Sequence, residues 1–230
     1  MKWFLVFSLV MSAFLAGAQQ RVFSKAELLG QLDPAKDTGF VKIEMKYTSK
    51  ENIYLRKEVY SQLTKMIDAA SKDGVKLIVI SATRNFNYQK GIWENKWKNK
   101  TNVKASAAER ARSIMRYSAM PGASRHHWGT DIDFNSVSPD FFKSGEGKKI
   151  YQWLLQHGAE YGFRQTYTSK LEGRTGYEEE YWHWSYMPLA EQMLAEYNRQ
   201  ITYADFTGFS GAEAAKELRV IEDFVNGISH

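Results

Sequence analysis

The chain has 230 residues, a formal net charge of +5 and no cysteine, so disulfide bonds and thiolate-bound metal ions are excluded. The basic excess is small and spread along the chain, and no nucleic-acid-binding motif accompanies it. We therefore expect no nucleic-acid partner. Thirteen Phe, thirteen Tyr and seven Trp supply bulk for a hydrophobic core and for an aromatic groove.

The N-terminus has the pattern of a secretory signal peptide. Lys2 precedes an apolar run from Trp3 to Leu15, and Ala16-Gly17-Ala18 is a small-x-small cleavage site. The run is too short for a stable membrane span, so we expect cleavage after Ala18 and no membrane insertion of the mature chain; an uncleaved anchor is the alternative. Residues 1–18 are thus a predicted signal peptide, and residues 19–230 a single exported domain in the periplasm or outside the cell.

Helices and short strands are predicted in mixed order along this domain. Apolar periodicity predicts helices at 55–70, 87–100, 105–120, 148–157 and 188–199. Strands are expected near 40–45, 76–81, 130–134, 161–165 and 181–185. A last helix, from Ser210 to about Val225 within a helical extension at about 200–230, is predicted by capping-box spacing at its start. Short strands that carry charged residues among helices indicate an α+β fold.

Two short segments carry residues suited to metal chemistry. Ser-Arg-His-His-Trp-Gly-Thr-Asp-Ile-Asp at 124–133 contains His126 and Asp133, and Glu-Tyr-Trp-His at 180–183 contains Glu180 and His183. Two imidazoles and a carboxylate could hold one metal ion with an open position for water, and the additional glutamate could act as a base. This is the residue set of a catalytic zinc site.

Local geometry decides how these residues converge. Gly129 would permit a turn between His126 and the strand at 130–134, and close approach to a metal ion. Asp131 and Asp133 would share one face of that strand, so one can bind the metal while the other supports a ligand. The side chain of His127, which is adjacent to His126, is expected to point away from the metal site. Alternatives to a catalytic site remain. The two aspartates could be plain turn carboxylates, and the acidic run at 178–180 could be a solvated surface. A zinc ion here could also be structural, with His127 or Asp131 as its fourth ligand.

At these residues the chain resembles the LAS zinc peptidases, which include VanY-type D-alanyl-D-alanine carboxypeptidases and related dipeptidases. Their signature is S-x-H-x-x-G-x-A-x-D followed by E-x-x-H. The resemblance implies a Hedgehog- and D,D-peptidase-like α+β domain with a small, mainly antiparallel sheet. It implies one Zn²⁺ ion bound by His126, Asp133 and His183, with Glu180 as general base. Asp131 stands where the signature has Ala.

A third match lies upstream, at residues 81–89, which are similar to the family's S-G-Y-R-S-x-x-x-Q. The resemblance implies that Arg84 stabilises the oxyanion and that Gln89 lies at the substrate site. An isolated arginine after a strand would otherwise be a surface residue. The three motifs together define a core at about 75–187. Ser124 and Gln89 are candidates to bind the substrate, and Trp128, Trp182 and Trp184 are candidates to line the cleft.

The family's usual substrate is the stem peptide of peptidoglycan. The sequence therefore predicts an exported zinc carboxypeptidase that removes the terminal D-alanine from this peptide. The alternatives within the family are a D,D-dipeptidase and a cell-wall endopeptidase. A non-catalytic zinc-containing binding module is the alternative of a different class, although a structural zinc would need neither Glu180 nor Arg84.

Overall fold

The structure, a computed structural model, describes residues 22–99 and 105–229. The predicted signal peptide at 1–18 and its cleavage site lie outside these ranges. Within the described ranges, no helix is both long enough and apolar enough to cross a membrane.

Helices and short strands alternate through the described residues. The α-helices are α1 (Lys25–Leu28), α2 (Lys57–Lys72), α3 (Phe86–Asn99), α4 (Ala107–Ile114), α5 (Gly145–His157) and α6 (Met187–Gln200). The strands are β1 (Phe40–Lys42), β2 (Tyr54–Arg56), β3 (Val79–Ser81), β4 (Asp131–Phe134), β5 (Phe163–Gln165) and β6 (His183–Tyr186). Strands β1 and β2 form an antiparallel pair, and the other four form a second antiparallel sheet in the order β3-β4-β6-β5. The predicted α+β fold with a small antiparallel sheet is confirmed.

The register of β4 and β6 places polar residues in adjacent rows on one face. Asp133 lies opposite His183, and Asp131 lies opposite Ser185. On the other face Ile132 lies opposite Trp184, and both belong to the hydrophobic core. All four residues of β4 are buried. The apolar face therefore anchors the sheet, and the polar face carries the candidate site.

Helix α2 shows how the periodic sequence builds the core around this sheet. Its buried side chains are Val59, Leu63, Met66, Ile67 and Ala70, which is the apolar face that the sequence predicts. Leu55, expected at the start of this helix, lies instead in β2.

Two predicted helices differ from the structure. Helix α4 ends at Ile114, whereas the sequence predicts a helix to residue 120. Tertiary hydrogen bonds replace the missing turns: Glu178 N–H donates to the Arg116 carbonyl, and the Gln89 side chain donates to the Ala119 carbonyl. These contacts give the carbonyls of Arg116 and Ala119 hydrogen-bond partners outside a helix.

The continuous helix predicted from Ser210 is also absent. In its place are a 3₁₀ turn at Ala212–Ala214 and a π-helical segment at Val220–Val225. Ser210 binds Glu94 through its backbone N–H and its hydroxyl, at 2.7 and 2.9 Å, instead of capping a helix. Arg219, with φ of 52°, separates the two helical pieces.

Candidate metal and catalytic site

His126 lies in a buried 3₁₀ turn, Arg125–Trp128, that leads into β4. The turn ends at Gly129, whose φ of 72° lies in the left-handed region that favours glycine. A Cβ atom here would lie 2.5 Å from Cε1 of Phe40. The turn and the packing against Phe40 therefore require this glycine. The atoms nearest to that Cβ belong to Phe40 and Arg56 and not to a candidate ligand.

A backbone carbonyl orients the imidazole of His126. Its Nδ1 donates to the carbonyl oxygen of Ala82 over 2.7 Å, and its Nε2 lies 3.4 Å from Oδ2 of Asp133. Burial, together with the nearby Arg84 cation, lowers the pKa of His126. The ring is therefore neutral, with the Nε2 lone pair directed at the site, which is the form that binds a metal ion.

His183 is oriented in the opposite sense. Its Nε2 donates to Oδ2 of Asp131 over 2.9 Å, so that Nδ1 faces the site. Nδ1 lies 3.5 Å from Oδ1 of Asp133 and 3.2 Å from Oε2 of Glu180. Burial acts to lower the pKa of His183, but its contacts with Asp131 and Glu180 outweigh burial and raise it to about 9. Metal binding through Nδ1 therefore has to release a proton.

Asp133 joins the two imidazoles. Its Oδ2 accepts a hydrogen bond from Arg84 over 2.7 Å, whereas its Oδ1 is buried with no hydrogen-bond partner among the described residues. Burial acts to raise the pKa of Asp133, but His126 and Arg84 hold it well below its usual range. An ionised, buried oxygen without a hydrogen-bond partner destabilises the fold unless a cation binds to it.

The three predicted ligands therefore fit a metal ion. One ligand atom from each of His126, Asp133 and His183 lies within 4.8 Å of the others. The two imidazole rings meet edge to face, with centroids 4.8 Å apart. Two nitrogens and a carboxylate, with no fourth side chain of the described residues in the group, leave a position open for water or substrate.

Glu180 lies beside this group, in the turn that enters β6. Its side chain is within 3.2 Å of His183 Nδ1, and the turn is closed by a hydrogen bond from His183 N–H to the Glu180 carbonyl. The Glu180 backbone is fixed further by Tyr167 and Gln165. Burial raises the pKa of Glu180, against the opposing effect of His183. A carboxylate with a raised pKa is suited to accept a proton near neutral pH.

Arg84 reaches the same group from the loop after β3. Its Nη2 lies 2.7 Å from Oδ2 of Asp133 and 2.9 Å from Nε2 of His126, and its Nε donates to the Ser81 hydroxyl. A metal ion bound to His126 Nε2 would displace the guanidinium from that nitrogen, whereas the contact of Arg84 with Oδ2 of Asp133 leaves Oδ1 free for the metal. The loop is attached to the histidine turn, because Arg84 N–H donates to the His126 carbonyl and His127 Nδ1 donates to the Arg84 carbonyl.

The structure places Gln89 behind Arg84, outside the lining of the cavity over the candidate ligands; the resemblance implied a place at the substrate site. Gln89 is fully buried, and it is not among the residues that line the cavity over the candidate ligands. Its Oε1 accepts from Arg84 Nη1 over 3.2 Å, and its Nε2 donates to the Ala119 carbonyl over 2.8 Å. With both ends of its amide occupied, Gln89 positions Arg84.

His127 and Asp131 are not spare ligands. His127 accepts from the Gly122 N–H through Nε2 and donates through Nδ1, so both ring nitrogens serve the backbone. Burial lowers the pKa of His127 to about 4, and the ring stays neutral. Asp131 points at the far nitrogen of His183. The prediction that one of the two aspartates supports a ligand agrees with this geometry.

A cavity of about 520 Å³ opens over the three candidate ligands. Ser124 and Trp182 line it, together with Arg84 and Glu180. Trp128 and Trp184, the other tryptophans predicted at the cleft, are buried in the core. Their indole N–H groups donate to backbone carbonyls of Leu28 and Tyr181.

The cavity is also lined by tyrosines that the sequence analysis missed, among them Tyr167 and Tyr177. The Tyr167 ring packs edge to face on His183 at 4.7 Å, and the Tyr177 ring packs on Tyr167 at 4.9 Å. The Tyr177 hydroxyl is buried and has no hydrogen-bond partner in the described part of the chain. Burial raises the pKa of both tyrosines, so they stay neutral donors. They come from an irregular segment between β5 and β6, where no periodic pattern marks them.

Comparison with known proteins identifies the family. Residues 52–189 match the family model of VanY, D-alanyl-D-alanine carboxypeptidase. The match covers more than half of the chain and contains all three motifs. The chain belongs to the VanY family of carboxypeptidases.

Individual relatives agree with this assignment. The chain is 31% identical to YodJ of Bacillus subtilis (strain 168) over 167 residues, which are 70% of this chain and 56% of YodJ. It is 33% identical to a D-alanyl-D-alanine carboxypeptidase of Enterococcus faecalis over 140 residues, which are 60% of this chain and 49% of the relative. The chain thus spans about half the length of the curated relatives it matches.

Solved structures show the same fold. VanYB in complex with D-alanine-D-alanine matches 73% of this chain and 87% of its own, with a TM-score of 0.53 and 23% identity. The LD-carboxypeptidase LdcB matches 82% of this chain and 81% of its own, with a TM-score of 0.55 and 24% identity. A VanY D,D-pentapeptidase mutant in complex with Zn(II) matches 75% of this chain and 92% of its own, with a TM-score of 0.51 and 22% identity.

Proposed function

We propose that this chain is a zinc-dependent D-alanyl-D-alanine carboxypeptidase that hydrolyses the terminal peptide bond of peptidoglycan stem peptides. The observation that carries the proposal is the meeting of His126, Asp133 and His183 under one cavity, with Glu180 and Arg84 at its wall. Membership of the VanY family supports the reaction, and the Zn(II) and D-alanine-D-alanine complexes of structural neighbours support the metal and the substrate class.

His126 Nε2, Asp133 Oδ1 and His183 Nδ1 would hold the zinc ion. When bound, zinc supplies Lewis-acid activation of water and of the scissile carbonyl. Glu180 then acts as the base: its carboxylate takes a proton from the attacking water and delivers it to the nitrogen of the leaving D-alanine. Burial of Glu180 keeps solvent from competing for that proton.

Arg84 provides positive charge where the oxyanion develops. Its guanidinium is held from behind by Gln89 and Ser81, so it is already oriented before the substrate arrives. Ser124 and the hydroxyl of Tyr177, which has no hydrogen-bond partner among the described residues, lie in the same cavity and are the donors that we assign to the substrate's terminal carboxylate. Trp182 would pack on the substrate from the cavity wall.

The substrate also defines where the enzyme would act. Peptidoglycan lies outside the cytoplasmic membrane, so the proposal requires export, which the signal peptide predicted at residues 1–18 would provide. The proposed partner is the stem peptide alone, without nucleic acid and without membrane insertion of the mature chain.

The test is mass spectrometry of a stem pentapeptide ending in D-Ala-D-Ala, incubated with residues 19–230 with and without added zinc. Glu180→Gln is the matched variant, because it keeps the size of the side chain and the metal ligands but removes the base. We expect loss of one D-alanine that depends on zinc, and a decrease of several orders of magnitude in the Glu180→Gln protein with its zinc content unchanged.

Other products would redirect the assignment. Release of a D-Ala-D-Ala dipeptide would indicate a D,D-dipeptidase, and an internal cut would indicate an endopeptidase. Cleavage of a tetrapeptide stem in preference to the pentapeptide would indicate an L,D-carboxypeptidase. No cleavage of any stem peptide by zinc-loaded protein would contradict the enzymatic proposal and favour a binding module.

A further inference from the structure

Asp131 is a fully buried carboxylate with four hydrogen bonds. Its Oδ2 accepts from Arg125 Nε at 3.0 Å and from His183 Nε2 at 2.9 Å. Its Oδ1 accepts from the hydroxyls of Ser185 at 2.6 Å and Thr130 at 2.7 Å. Two oxygens with two bonds each have no remaining lone pair for a metal ion. Asp131 is therefore occupied in a way that excludes it as a fourth ligand.

Arg125 keeps this carboxylate ionised and in place. The side chains of both residues are 0% exposed. The guanidinium packs over the Trp128 ring at 4.6 Å, and its Nη2 donates to the Ser185 hydroxyl at 2.9 Å. A planar cation held on three sides gives a buried carboxylate a fixed orientation.

The two imidazoles of the site are held in different ways. His126 donates to a backbone carbonyl, which any sequence would offer, whereas His183 donates to a side chain, Asp131. Asp131 stands where the peptidase signature has Ala, a residue whose side chain accepts no hydrogen bond. The contact between Asp131 and His183 is therefore a feature of this chain and not of the signature.

We propose that Asp131, fixed by Arg125, is a positioning residue that presents Nδ1 of His183 to the metal ion. The inference rests on the proposed zinc site. Hydrogen bonding of Nε2–H to Asp131 sets the tautomer and the ring plane of His183, so that Nδ1 faces Asp133 and Glu180. Without this acceptor the imidazole keeps its place in the core but loses the interaction that selects Nδ1.

Asp131→Asn tests the role of the Asp131 charge with little change in volume, because a neutral amide oxygen accepts the His183 hydrogen bond more weakly than a carboxylate does, and Ser185→Ala is the matched control. Both variants disturb the same hydrogen-bond network, but Ser185 does not contact His183 in the described structure. Zinc affinity is measured on metal-free protein by competition with a chromogenic chelator. We expect Asp131→Asn to bind zinc about 10–100-fold more weakly than the original protein and Ser185→Ala to bind within about threefold.

A spectroscopic readout separates positioning from general stability. In zinc-loaded protein labelled with ¹⁵N-histidine, the Nε2-bound proton of His183 should give a slowly exchanging downfield resonance, because it is buried in the bond to Asp131. The resonance is assigned by its loss in His183→Gln. We expect it to shift or to exchange rapidly in Asp131→Asn and to persist in Ser185→Ala.

The outcomes distinguish failure of the positioning inference from failure of the proposed zinc site. Unchanged zinc affinity and an unchanged Nε2–H resonance in Asp131→Asn would overturn the inference. Failure of the unsubstituted protein to bind zinc would instead refute the proposed function. Should Asp131→Asn fail to fold, the double variant Arg125→Met/Asp131→Ala removes both charges together, and native zinc affinity in that variant would equally overturn the positioning role.

Discussion

Replacing Arg125 with Met measures what the buried charge pair contributes to stability. Removing one partner of a buried ion pair usually costs about 3–5 kcal/mol, because the other charge remains buried. Two features reduce the cost here. Met retains packing on Trp128, and the substitution eliminates Arg125 Nη1, which is buried without a hydrogen-bond partner in the described structure. His183 and two hydroxyls still contact Asp131. We therefore expect a loss of about 3 kcal/mol in the free energy of unfolding.

This loss should lower the melting temperature by about 6–12 °C in a domain of this size. Thermal unfolding is followed by circular dichroism in the presence of a chelator, so that metal binding does not contribute. Lys36→Met is the control, because Lys36 forms an exposed ion pair with Asp33 and should leave the melting temperature nearly unchanged. A decrease of less than about 2 °C in Arg125→Met would refute the reasoning about the buried pair.

Three further results are expected. Gln89→Leu should lower kcat about tenfold or more at unchanged zinc content, because Arg84 loses its orienting acceptor; steady-state kinetics with metal analysis would show this, and an unchanged kcat would contradict it. Chelation should abolish turnover and lower the melting temperature, and added zinc should restore both; activity that survives complete metal removal would contradict the site. The third result concerns pH: folding raises the pKa of His183 to about 9, so the protonated imidazole stabilises the folded protein. This contribution is complete below the unfolded pKa near 6.5 and is lost as the pH rises to about 9. The melting temperature of the metal-free protein should therefore fall as the pH rises from about 6.5 to about 9, and His183→Gln should remove this part of the pH dependence.

The candidate ligand set was implied by the family resemblance, and the motifs that carry the resemblance reflect local chain geometry. His126 and Asp133 are joined by a turn that enters a strand, and the glycine between them marks the turn. Glu180 and His183 are joined by a second turn into a strand, and the bend was required for both to face inward. Such constraints act over a few residues and leave a pattern in the sequence.

The features that the sequence did not predict depend on contacts between distant segments. Ser210 binds Glu94 rather than a helix terminus, and Gln89 binds the carbonyl of Ala119 rather than the substrate cavity. Tyr177 reaches the cavity from an irregular segment. Local capping and motif rules contain no information on these partners, because tertiary hydrogen bonds override local preference.

The register of one strand pair accounts for both the metal ligands and the residues that support them. In β4 and β6, Asp133 faces His183, and two residues away Asp131 faces Ser185, all on the polar face of the sheet. A shift of one residue in either strand would move its polar residues to the opposite face. The register is set on that opposite face, where Ile132 and Trp184 are buried in the core. The packing that stabilises the fold therefore also fixes the distance between the candidate ligands, and for this reason buried apolar residues such as Ile132 support the site from the opposite face of the sheet.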